Sequence, residues 1–127
     1  MFVKAINERT TGIYTATLED ESGVPIPLSS ISALELWLYN VKTNVIINGR
    51  GVMGGAGQDV KNTNNVTIHA TSGLLTWSIQ TADNVIVQDF LTSEEHRAVF
   101  RATCLGSYPI VTHQFAIIVT NLKPVAV

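Results

Sequence analysis

The side chains in this sequence with metal-binding or proton-transfer chemistry begin with His69, His96 and His113, whose imidazoles can ligate metals or move protons near neutral pH. Their spacing contains no short ligand pair, and no cysteine stands close by to complete a zinc set. If the last two strands pair about a turn at 106–109, His113 lies across from a position between Phe100 and Ala102. It is then several residues from His96, and at about 3.3 Å per residue the two rings are far apart along the ladder. His69 belongs to a different hairpin. No metal is expected.

The carboxylates give a similar answer. Glu19-Asp20-Glu21 lacks the spaced oxygen ligands of a calcium loop and reads as a solvated turn. Asp83, Asp89, Glu94 and Glu95 read as solvated loop acids, since nothing sets a pair of them at the separation glycoside hydrolysis needs. Gly49, Gly51 and Gly54 spell a literal G-x-G-x-x-G after the strand-like segment 45–47. A dinucleotide site needs a helix to open there, with its first amides toward the pyrophosphate. The chain continues instead with Gly55-Ala56-Gly57-Gln58-Asp59 and more polar residues, so the segment reads as a flexible loop or assembly arm, and no cofactor is expected. No G-x-S-x-G elbow occurs. Cys104 has no neighbour in sequence that would lower its pKa and reads as a small buried hydrophobe. Asn65-Val66-Thr67 matches a glycosylation sequon but reads as a turn residue and a strand start. No active site emerges, and the protein is expected not to be an enzyme.

The elements around these residues are more legible. The chain has 127 residues, the length of one domain, expected to span 1–127. Charged residues make up only 14% against 46% hydrophobic, below the roughly 25% charge of ordinary soluble domains, which points to a surface that is either small or covered by a partner. A net charge of −2 supplies no basic field for a phosphate backbone, so no nucleic-acid partner is expected. No apolar run approaches the roughly 20 residues of a spanning helix, so no membrane partner is expected. The single cysteine excludes an internal disulfide, and the short start Met1-Phe2-Val3-Lys4-Ala5 does not read as a signal peptide; together they suggest a reducing cytoplasm.

Alternation of period two marks the strands. Leu75, Trp77 and Ile79 share one face of a central strand, where Trp77 is expected to anchor the core with its N–H on a partner. Tyr14, Ala16 and Leu18 share a face, as do Leu34, Leu36 and Leu38. Ala98, Phe100, Ala102 and Cys104 face inward on the next-to-last strand, after a loop or single helical turn over 88–95, and Phe115, Ile117 and Val119 do so on the last. Residues 2–6 make a short leading strand or arm, 29–33 a short helical or 3₁₀ turn, and 66–68 pairs with the Trp77 strand. The prolines in Val24-Pro25-Ile26-Pro27 restrict that segment to an extended edge or crossover. The 49–57 loop is long enough to be an interaction segment, and 123–127 reads as a loose C-terminal tail. Short strands separated by turn signals, with no long helix, predict an all-β fold: an immunoglobulin-like antiparallel β-sandwich of seven to eight strands. The Cys…Trp…Cys spacing of antibody domains is absent.

Three stretches resemble the small immunoglobulin-like structural proteins of tailed-bacteriophage virions, of the baseplate and tail type. They are Thr15-Ala16-Thr17-Leu18-Glu19-Asp20-Glu21-Ser22-Gly23-Val24-Pro25-Ile26, then Asn64-Asn65-Val66-Thr67-Ile68 with Ser72-Gly73-Leu74-Leu75-Thr76-Trp77, and the final strand pair. The resemblance spans roughly 10–122; the glycine-rich 49–57 insertion departs from it. It implies a non-enzymatic virion protein, assembled in the host cytoplasm, that acts as an assembly or decoration module. Its partners would be other virion proteins or copies of itself. The residues expected at the interface are Trp37, Tyr39, Arg50, Val52 and Met53, with the second face of an internal sheet as the other reading for Trp37 and Tyr39. The alternative is a carbohydrate- or receptor-binding β-sandwich module, in which Trp37, Tyr39 and Glu35 would form the sugar platform.

Overall fold

A computed structural model describes residues 2–88, 90–105 and 110–122. It is all-β: β1 (Phe2–Asn7), β2 (Gly12–Thr17), β3 (Ile31–Asn40), β4 (Gln58–Asp59), β5 (Val66–Ile68), β6 (Leu74–Ile79), β7 (Ser93–Cys104) and β8 (Ile110–Thr120). One sheet has the order β1-β8-β7-β3-β4 and the other β2-β6-β5. Their inner faces pack together as in a β-sandwich.

The alternating segments become strands whose apolar parity faces the partner sheet. Leu34, Leu36 and Leu38 from β3, Ala98, Phe100 and Ala102 from β7, and Phe115, Ile117 and Val119 from β8 are all buried. They meet Tyr14, Leu75, Trp77 and Ile79 from the smaller sheet. Trp77 sits at the centre of the contact, edge-on to Phe100 and Phe115 with ring centroids 5.8 Å away in both cases. β6 is the middle strand of its sheet, as the sequence predicts for the Trp77 strand. The indole N–H departs from expectation: it is buried and finds no hydrogen-bond partner among the described residues. Packing on two phenyl rings fixes the indole there, with Arg50 over its ring at 5.5 Å.

The β7–β8 hairpin pairs Phe100 with His113, inside the window read from sequence. β5 pairs with β6, and a 3₁₀ turn occupies Leu28–Ser30, ahead of β3. The Asp20 carboxylate closes its acidic turn by accepting from the Ser22 and Val24 N–H groups, and Gly23 takes φ +79° there. Ile26 then returns to bond the Leu18 carbonyl, and the Pro25–Pro27 segment carries the chain toward the larger sheet.

Two further expectations need correction. The sandwich is not wholly antiparallel, because β1 runs parallel to β8, from Phe2 opposite Phe115 to Asn7 opposite Thr120. A parallel pair needs a long crossover, and here nearly the whole fold lies between the two strands. The segment read as a loop or helical turn up to Glu95 also ends earlier, since β7 begins at Ser93. The 106–109 turn, Asp89 and the 123–127 tail lie outside the described residues.

Candidate functional site

The outward parity of β3 carries Glu35, Trp37 and Tyr39, all half-buried. Across from Glu35 on β7 stands Arg101, whose guanidinium donates to Glu35 Oε1 at 2.7 Å and lies 4.7 Å over the Trp37 ring. The glycine-rich loop folds down onto this group. Trp37 Nε1 donates to the Val52 carbonyl at 3.1 Å, and the Gly57 N–H donates to Glu35 Oε2 at 2.9 Å. Arg101 chiefly holds the Glu35 carboxyl below its ordinary pKa against the opposing effect of burial, with the Gly57 amide adding a lesser contribution.

The glycines make this approach achievable. A Cβ on Gly57 would sit 2.7 Å from Glu35 Cβ and 3.1 Å from the Trp37 ring, and one on Gly51 would sit 2.8 Å from Trp37 Cδ1. Gly51 also needs φ +94°. The loop read as a flexible arm is therefore anchored at several points, and no helix opens after Gly54. Its tip projects: Val52 is 61% exposed and Met53 41%. Trp37 is covered by its own chain rather than offered as a flat platform.

Arg50 belongs elsewhere. Expected at the interface, it is 2% exposed and points into the molecule. Its Nε lies 2.5 Å from Asp83 Oδ1, and the guanidinium also donates to Asp83 Oδ2, Gln58 Oε1, the Asn64 carbonyl and Asn65 Oδ1. Those five bonds satisfy all five guanidinium donors, as a buried arginine requires. Asp83 in turn accepts from Asn48 and from the Gln80 N–H, capping the 3₁₀ turn Thr81–Asn84. Asn65 of the sequon thus serves as an acceptor for Arg50.

Glu94 is likewise buried rather than solvated, as is Asp83. Glu94 sits on the inward parity of β7 at the edge of a cleft of about 360 Å³ bordered by Asn40, Lys42, Gln88, Leu91 and Ser93. Burial works to raise its pKa, but donors from the Gln88 and Val87 amides, His96 and Asn40 outweigh it and leave the carboxyl below its ordinary value. His96, fully buried, is pushed down by burial, with Glu94 and the Asp83 backbone opposing. Glu94 is thus ionised and His96 neutral at pH 7. The Glu94 carboxylate is the centre of a buried polar knot, its acceptor capacity taken up by the protein itself.

The other titratable groups are dispersed. The Tyr14 hydroxyl bonds His113 Nε2 across the two sheets, and its ring stacks on Phe115 at 3.7 Å. Burial raises the Tyr14 pKa and lowers that of His113. His69 is exposed, its Nδ1 accepting from the Thr71 and Ser72 amides. Burial pushes the Cys104 thiol up, away from the reactive thiolate. Among the described residues, no three His, Cys, Asp or Glu side chains converge on a point that could hold a metal ion.

Sequence reasoning passed over the two buried charge clusters. One carried a signal: continuing the inward parity of Phe100 and Ala98 by two steps each gives His96 and then Glu94. The Arg50–Asp83 pair spans 33 positions and no local pattern marks it.

No protein-family model matches the chain. No curated protein and no solved structure matches it either.

Proposed function

We propose that this protein is a non-enzymatic structural component of a tailed-bacteriophage virion, its sandwich being of the immunoglobulin-like type and acting as an assembly or decoration module. The observation that carries the reading is the anchored loop: its base is fastened to Glu35 and Trp37 while Val52 and Met53 are held out to solvent. A preorganised apolar tip loses little entropy on docking, which favours protein–protein contact. The covered Trp37 ring and the internally paired Glu35 favour assembly over the sugar-platform alternative. The buried acid and base, bonded to each other and to backbone amides, support a structural role.

The test is quantitative mass spectrometry of density-purified particles released by cells that make the protein. A fixed copy number per particle, abolished by Val52→Asp with Met53→Asp, is expected. Absence from particles overturns the reading, and binding on a glycan array that survives this double change favours the carbohydrate alternative.

A further inference from the structure

The two sheets have four edges, and three are blunted. β4 is only two residues long. β5 is closed by its own preceding loop, where Asn62 Oδ1 accepts the Ile68 N–H and the Thr63 carbonyl accepts that of Val66. β1 carries Lys4, a charge that guards an edge. β2 has none of these devices: Gly-Ile-Tyr-Thr-Ala-Thr is six residues long, unbroken in register, and free of charge and proline.

The ladder shows which groups remain open. The Leu18 N–H bonds the Gly73 carbonyl, while β6 bonds the other way to β5 through Leu74 and Ser78. In the regular β2–β6 register this assigns positions 12, 14 and 16 to the pairing with β6. The N–H and C=O groups of Ile13, Thr15 and Thr17 therefore face away from the sheet, and they have no backbone partner among the described residues. Their side chains are exposed too, Ile13 at 65%.

We propose that this edge pairs with the β2 edge of a second copy of the chain, antiparallel about a two-fold axis at Thr15, joining two three-stranded sheets into one of six. Three features select this partner. Centred on Thr15, the register sets Thr15 against Thr15, Ile13 against Thr17 and, on the core side, large Tyr14 against small Ala16, with no like charges opposed. It forms about six backbone hydrogen bonds from groups otherwise left to water. The strand's ends also differ in sign. Arg9 and Lys4 lie by its start, with Lys4 Cε 3.5 Å from where a Gly12 Cβ would be, and Glu19-Asp20-Glu21 come just after its end. Antiparallel pairing brings these opposite charges together, and a two-fold makes the contact twice. The pairing uses a surface separate from the Val52–Met53 tip and does not depend on the virion reading.

Sedimentation of the full chain over a concentration series tests it, with Thr15→Lys and Thr15→Glu as probes at an exposed position. The wild type is expected to dimerise. Either charge alone should weaken the dimer about fivefold by facing its own copy, and an equimolar mixture of the two variants should restore it. Val52→Lys should leave it unchanged. A wild type that stays monomeric, or a dimer indifferent to residue 15, overturns the proposal. Hydrogen exchange needs no variant: the Ile13, Thr15 and Thr17 amides should gain protection as concentration rises, and concentration-independent exchange overturns the pairing.

Discussion

Arg50 and Asp83 form an ion pair at 2.5 Å with both side chains almost wholly enclosed, fastening the glycine-rich loop to the turn after β6. Removing one partner strands the other charge in the interior. Arg50→Ala is expected to cost about 3–5 kcal/mol by urea denaturation. Arg50→Met with Asp83→Asn should cost less than the sum of the single changes, and strict additivity would remove the coupling.

Gly57 lies against Glu35 and Trp37 with no room for a methyl group. Gly57→Ala should lift the loop from β3 and destabilise the fold by about 1–3 kcal/mol. The same variant should speed proteolysis within 49–57 and shift the Trp37 contribution to fluorescence. An unchanged cleavage rate would show that the loop is not held there.

The polar knot predicts the pH response. His96 and His113 have folded pKa values below the ordinary histidine value, so the unfolded chain binds more protons as pH falls below about 6.5. Their stabilising contribution is therefore present above that pH and is lost below it. Glu94 and Glu35 are also depressed, so their contribution is lost further down, as pH falls through the carboxylate range. The urea midpoint should decline in two stages on acidification. Glu94→Gln should flatten the lower stage and cost about 1–3 kcal/mol at pH 7, because its new amide N–H group opposes the donors around it.

Trp77 fills the centre of the core while its N–H goes unmet among the described residues. Trp77→Phe deletes that N–H along with part of the ring, so it should cost much less than Trp77→Ala, for which about 3–5 kcal/mol is expected. Equal losses in thermal unfolding would mean that the indole N–H has a partner after all.

The strand faces were legible because alternation is local. Leu34, Leu36 and Leu38, or Phe115, Ile117 and Val119, declare their side by spacing alone, and so does the Trp77 strand. The same rule, carried two steps further along β7, would have placed His96 and Glu94 inside; the charge of Glu94 is what made it read as a solvated loop acid. Arg50 was misplaced for a related reason. A glycine-rich neighbourhood suggests exposure, and nothing near it in sequence names Asp83 as its counter-charge.

The sequence by itself thus determined the all-β class, the inward residues of most strands and the acidic turn at Glu19-Asp20-Glu21, each an effect of side-chain period or local polarity within a few residues. Only the tertiary structure decided that β1 joins β8 in parallel, that the glycine loop is fastened over Trp37, and that β2 is the edge left open. Those outcomes depend on contacts between distant segments, where desolvated charges and backbone groups must find partners that no local pattern specifies.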